Sequence, residues 1–139
     1  MITTLAPFLA FSGQGRDALQ TYANALPGAE VLHVHPYGPD EEGEEGQLRL
    51  AVLCIGEIYL RIIDVPVSAG FSFSGAMSIH VVLDKAEEVD KVATALGVTM
   101  TLMPPDSYPF AERFAWIVDR FGVHWQLVFG GILPGAGKS

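Results

Sequence analysis

Trp116-Ile-Val-Asp-Arg-Phe-Gly-Val-His-Trp-Gln-Leu-Val-Phe129 is the stretch on which the fold of this 139-residue chain turns. Val118 and Val123 flank Asp-Arg-Phe-Gly, a composition that reverses a strand within a few residues. Past the turn, Val123, Trp125 and Leu127 alternate with His124, Gln126 and Val128. Successive side chains of a strand point to opposite faces, so His124 and Gln126 share one face and Trp125 and Leu127 the other. The pattern predicts a terminal β-hairpin with one apolar face and one polar-bearing face.

Upstream, one pattern runs twice. Residues 4–11 are apolar and end at Ser12-Gly13, which predicts a buried strand. Residues 16–26 carry Leu19, Tyr22 and Leu26 at helical spacing, and Pro27-Gly28 stops them. Residues 30–35 predict a strand. Residues 48–55 and 58–63 then predict a hairpin about the Gly56-Glu57 turn. The order of strand, helix and three strands recurs in residues 77–83, with Asp84 as helix N-cap, then 86–96, 98–103 and the terminal hairpin. Leu19, Tyr22 and Leu26 correspond to Val89, Val92 and Leu96, about 70 residues later. A repeat of this length signals a duplicated module rather than a solenoid. The predicted class is α+β: two βαβββ modules forming a curved, cup-like mixed sheet with helices outside. Residues 1–131 then make a single domain, with module one at about 4–64, a linker at 65–75 and module two at about 76–131. Residues 132–139 are expected to be a flexible tail.

Composition narrows the function classes. Half of the residues are apolar and 17% are charged, enough for a core and unlike a disordered chain. The apolar runs are too short for a helical membrane span, and no basic residue precedes the first of them, so neither membrane insertion nor a secretory signal is expected. Cys54 is the only cysteine, which fits a reducing cytoplasm, and its apolar strand makes it a small core residue. Eight scattered basic residues against a net charge of −8 argue against nucleic acid. Residues 40–45 hold five carboxylates around Gly43; such an uninterrupted run predicts a solvated loop and lacks the spacing of a calcium loop.

Paired βαβββ units that end in a turn-Gly-x-x-Trp-Gln strand resemble the vicinal oxygen chelate superfamily of glyoxalases, extradiol dioxygenases and bleomycin-resistance proteins. Pro7-Phe-Leu-Ala-Phe-Ser-Gly13 with Ala18 and Tyr22, and Asp119-Arg-Phe-Gly-Val-His-Trp-Gln126, resemble its PhnB-like branch, some of whose proteins carry the label 3-demethylubiquinone 3-methyltransferase-like. The resemblance covers about residues 5–129. It implies a homodimer that binds a small molecule in its cup.

The superfamily's metal enzymes place His, Glu or Gln on the inward faces of the first and last strands of each half. Here those positions fall at Pro7, near Ser78, at Leu60 or Arg61, and at Gln126. A guanidinium beneath a helix layer would be costly, whereas a water-accessible face tolerates it, so Arg61 is the better counterpart of Gln126. A cation there would repel a divalent metal. The expected site therefore has no family-type metal and no cofactor.

His80 and His124 should face the cup with Ser78, Gln126 and Arg61. The two histidines are candidates for acid–base chemistry or for an irregular metal site, and equally for ordinary hydrogen-bonded side chains. His33 and His35 share another strand face and are expected to be exposed. The proline-rich segment 104–110 predicts a rigid loop whose Tyr108 and Phe110, with Trp116, either meet an apolar ligand or plug the cup. Gly13-Gln-Gly15 lacks the third glycine of a dinucleotide loop, the tail 131–139 lacks the spacing and the following helix of a phosphate loop, and no glycine-rich S-adenosylmethionine loop occurs. The leading expectation is a cytoplasmic small-molecule-binding protein. The alternatives are a lyase, isomerase or dioxygenase-type enzyme, and a domain whose filled cup serves only assembly.

Overall fold

A computed structural model describes residues 1–131; the stretch 132–139, expected from the sequence to be a flexible tail, lies outside the described residues. The chain divides into two compact units, Met1–Phe71 and Ser72–Ser139.

The first unit is β1 (Phe8–Phe11), α1 (Gly15–Ala25), β2 (Ala29–Pro36), β3 (Leu48–Ile55) and β4 (Ile58–Asp64). The second is β5 (Ile79–Val82), α2 (Ala86–Leu96), β6 (Met100–Tyr108), β7 (Ala111–Val118) and β8 (His124–Phe129). Both are therefore βαβββ modules, and each forms a four-stranded mixed sheet, in the orders β1-β4-β3-β2 and β5-β8-β7-β6. First and last strands of each module pair in parallel and the others antiparallel. The α+β class and the duplicated module read from the sequence are present.

Each sheet buries one face under its helix. Ala18, Leu19, Tyr22 and Ala25 of α1 are buried together with Ala51, Leu53, Leu60 and Ile62. Val89, Val92, Ala93 and Leu96 of α2 are buried with Ala115, Ile117, Trp125 and Leu127. A fully buried aliphatic side chain stabilises by about 1.5–3 kcal/mol, so each of these helix-side layers stabilises its module strongly. The alternation expected for residues 123–128 holds: Trp125 and Leu127 lie on the helix side, His124 and Gln126 on the open side.

Several local expectations need correction. The segment 104–108 is not a loop, because β6 runs through it to Tyr108. As an edge strand β6 tolerates Pro104 and Pro105, which cannot donate to a ladder, and its pairing with β7 is interrupted between Met103 and Asp106. Asp84 does not cap α2; Lys85 occupies that position without a side-chain bond, and Glu87 and Glu88 supply the negative charge favoured in a first turn. Strands β1 and β5 are shorter than residues 4–11 and 77–83 suggested. Cys54 is half-buried on the open side of its sheet rather than in the core, and its thiol donates to the Gly56 carbonyl at 3.1 Å.

Two buried carboxylates organise the modules. Asp64, at the end of β4, accepts the backbone N–H groups of Gly13, Gly15 and Leu48, each at 2.9 Å. A Cβ on Gly15 would stand 2.7 Å from Asp64 Oδ2, so the Gly13-Gln-Gly15 segment leaves room for a carboxylate of this chain. Asp119 accepts the N–H groups of Phe121 and Val123 at 2.8 and 3.0 Å and the Trp125 indole N–H at 2.8 Å, which fixes the β7–β8 turn to the core.

Candidate ligand-binding site

The open face of the second module is built in rows. His80 of β5 pairs with Gln126 of β8, which pairs with Trp116 of β7, which pairs with Met103 of β6. Directly opposed residues share a face, so these four side chains stand side by side. The next row is Val82, Val128, Phe114 and Asp106. Phe114 and Val128 are buried together with Ala111, and Val82, Met103, Tyr108 and Trp116 pack against them. This face is an apolar floor edged by polar groups.

Aromatic rings extend that floor. Phe110 meets Phe114 edge-on at 4.9 Å between centroids, and Tyr108 meets Phe114 at 5.8 Å in the same manner. Tyr108 and Phe110 stack on each other at 5.5 Å. The Tyr108 hydroxyl donates to the Pro104 carbonyl at 2.7 Å, which spans the irregular part of β6 and holds the ring. The two aromatics thus pack within their own module, and Phe110 remains 38% exposed.

The polar edge is only partly satisfied from within. Gln126 Nε2 donates to Ser78 Oγ at 2.9 Å, so the sequence-predicted pair Ser78 and Gln126 is in contact. With one amide N–H engaged, Gln126 keeps its second N–H to donate and its carbonyl oxygen to accept, and the Ser78 hydroxyl keeps its proton to donate. Trp116 Nε1 donates to His124 Nδ1 at 3.1 Å, with the rings edge to face at 6.2 Å. A neutral imidazole carries one proton, so acceptance at Nδ1 leaves that proton on Nε2. In this arrangement His124 is a donor and has no basic nitrogen to spare. A Cβ on Gly75 would stand 3.2 Å from His124 Cε1, so that glycine admits the ring. His80 is exposed and its imidazole has no hydrogen-bond partner among the described residues.

Arg61 belongs to the first module, on the open face of β4 between buried Leu60 and Ile62. Its guanidinium thus avoids the helix layer, as the cost of burying it there predicts. It pairs in register with Phe8 of β1, the place that His80 takes opposite Gln126 in the second module. His33 and His35 are exposed on edge strand β2, their rings stacked at 6.2 Å. The acidic segment is partly engaged: Arg49 pairs with Glu41 at 3.1 Å and Glu42 at 3.5 Å.

Neither module's donor set fits a divalent cation of the superfamily type. The parallel strand pair of the first holds phenylalanine and arginine, and that of the second an imidazole and an amide already bonded to a serine. No carboxylate stands among them, and no group of three or more His, Cys, Asp or Glu gathers among the described residues.

Sequence reasoning located the polar edge but missed Phe114 and Val128 as its floor. Their signal was present: each stands two residues from a site residue on the same strand, Phe114 from Trp116 and Val128 from Gln126.

Comparison with known proteins agrees with this architecture. Residues 3–128 match the family described as 3-demethylubiquinone-9 3-methyltransferase. A PhnB protein from Bacillus cereus, whose structure carries the same description, is 33% identical over 89% of this chain and 97% of its own, with a TM-score of 0.80. Protein PA1353 from Pseudomonas aeruginosa is 26% identical over 93% and 98% of the two chains, with a TM-score of 0.82. Similarity of fold alone extends to the fosfomycin resistance protein FosX from Listeria monocytogenes, solved with Mn(II), at 20% identity over 95% of each chain and a TM-score of 0.61. No curated protein matches. The chain belongs to the PhnB-like 3-demethylubiquinone-9 3-methyltransferase family.

Proposed function

We propose that this protein binds a small organic molecule on the open face of its second module, without a superfamily-type metal. The observation that carries the reading is the juxtaposition of an aromatic floor with a polar edge that is not fully satisfied. Tyr108, Phe110 and Trp116, packed on buried Phe114, supply flat apolar area, and the Gln126 carbonyl, the Ser78 hydroxyl, His80 and the His124 Nε2 proton supply directional contacts. Ligand sites combine these features, apolar walls for affinity and a few polar groups for orientation. The ligand class that fits is a planar or aromatic molecule bearing hydroxyl or carbonyl groups. Sequestration, the role that the resemblance to bleomycin-resistance proteins implies, needs nothing beyond this. A homodimer in the cytoplasm completes the proposal; no helix among the described residues is long and apolar enough to cross a membrane.

Metal analysis of protein purified without chelator tests the metal-free half of the proposal. Substoichiometric zinc, nickel, manganese and iron are expected, and one tightly held metal per chain would contradict the reading. Light scattering should give twice the 14.9 kDa chain mass, and a monomer would remove the dimer.

One observation favours an enzymatic second reading. His80 is the unpartnered imidazole of the site among the described residues, beside the Gln126 carbonyl edge, and suits a general base. Turnover of an aromatic ketone or enol that is lost in His80→Ala and kept in His124→Gln would establish it.

A further inference from the structure

Five arginines lie among the described residues, and four have partners. Arg16 donates to the Gly46 carbonyl, Arg49 pairs with Glu41 and Glu42, Arg113 pairs with Asp90, and Arg120 lies 4.6 Å over the Phe121 ring. The Arg61 guanidinium has no hydrogen bond, ion pair or ring contact among the described residues. Anions are not scarce in this chain, which has 16 acidic residues against 8 basic ones.

The surroundings of Arg61 are apolar by register. Its row across the sheet is His33, Val52, Arg61 and Phe8, and Tyr59 and Ile63 flank it along β4 on the same face. The carboxylate that register places on this face, Glu30, stands in the row of Cys54 and Tyr59, two strands away. Arg61 is half-buried, whereas Phe8 is 53% exposed. A guanidinium set among apolar side chains with no anion beside it keeps its full fork of donors unused, and it cannot shed its charge by losing its proton. An incoming oxyanion takes up that fork through two parallel charge-assisted hydrogen bonds.

We infer that the open face of the first module is an oxyanion site, in which Arg61 grips the carboxylate of a small organic acid whose apolar body rests on Phe8, Val52 and Tyr59. Neighbouring strands lie about 4.8 Å apart, so one aromatic ring reaches from the guanidinium to the side chain on the next strand. This inference stands apart from the second-module site and can fail without it.

The test is a titration of the full ¹⁵N-labelled chain, following the arginine Nε–H signals, with benzoate, phenyl phosphate, acetate and neutral benzamide as probes. Benzoate should move the Arg61 signal saturably while the four partnered arginines stay as internal references. Acetate should bind more weakly for want of an apolar body, and benzamide should leave Arg61 unmoved. Arg61→Gln should weaken benzoate about 10- to 100-fold, the range of a hydrogen bond to a charged group, and Arg16→Gln, which removes the same charge outside the site, should leave it unchanged. Unaltered indole N–H signals of Trp116 and Trp125 report that the variant is folded. An equal shift of the Arg61 signal by benzamide, movement of another arginine in place of Arg61, or a preference of the Arg61 signal for phenyl phosphate over benzoate would overturn the assignment.

Discussion

At the scale of single residues, His124 shows how one hydrogen bond sets chemistry. The Trp116 indole N–H has no acceptor capacity, so its 3.1 Å contact to Nδ1 defines the tautomer of the neutral ring. Long-range ¹H–¹⁵N spectra should show the His124 proton on Nε2, and a proton on Nδ1 would remove its role as a donor. Replacing Trp116 by Phe keeps the floor but frees Nδ1, so the tautomer should then become mixed. Tyr37 gives the corresponding lesson for titration. Burial, and next the nearby Glu42 carboxylate, raise its pKa above the ordinary tyrosine value, and its hydroxyl donates to the Asp64 carbonyl at 2.9 Å. The neutral phenol is therefore the form that the folded state favours. That contribution is complete below about pH 10 and is lost as pH climbs through the raised folded value. Tyr37→Phe should cost about 1 kcal/mol at neutral pH and should flatten the alkaline fall in melting temperature. An unchanged alkaline slope would contradict it.

Among the elements, the β7–β8 hairpin depends on Asp119. Its carboxylate serves two turn N–H groups and the Trp125 indole inside the fold, all of which would lose their acceptor in Asp119→Ala. Loss of a buried acceptor leaves donors desolvated, and the expected destabilisation is about 3 kcal/mol, near 10 °C in melting temperature for a chain of this size. Asp119→Asn should recover part of this, because its amide oxygen still accepts from the turn. Equal stability of Asp119→Ala and the parent would contradict the role. The same physics decides how much of these elements was legible in the sequence. Strand alternation and helical spacing are properties of side-chain types, so the hairpin, both helices and the polar face with Ser78, His80, His124 and Gln126 could be read from Trp116–Phe129 outward. The partners of Asp64 and Asp119 are mostly backbone N–H groups, which carry no sequence identity. The extension of β6 through Pro104 and Pro105 was hidden because prolines signal a loop unless the strand is known to lie at an edge, which only pairing reveals.

For the molecule as a whole, two copies of one module carry unlike open faces. The first presents Arg61 in an apolar setting, the second an aromatic floor with a neutral polar edge. Duplication preserved the helix-side cores, where Leu60 and Ile62 correspond to Trp125 and Leu127, and left the open faces to diverge. That is the pattern expected when the fold is held by one side of a sheet and the function by the other. The chain also contains its own internal reference for ligand binding. Trp116 stands in the proposed site, while Trp125 is fully buried beneath α2 and bonded to Asp119. The decisive measurement is a ¹H–¹⁵N titration of the labelled protein with small aromatic alcohols and ketones. It should move the Trp116 indole N–H and the Gln126 side-chain amide saturably, leave the Trp125 indole in place, and weaken at least tenfold in a Gln126→Ala variant. Probes that bind while Trp116 and Gln126 stay still would contradict the site.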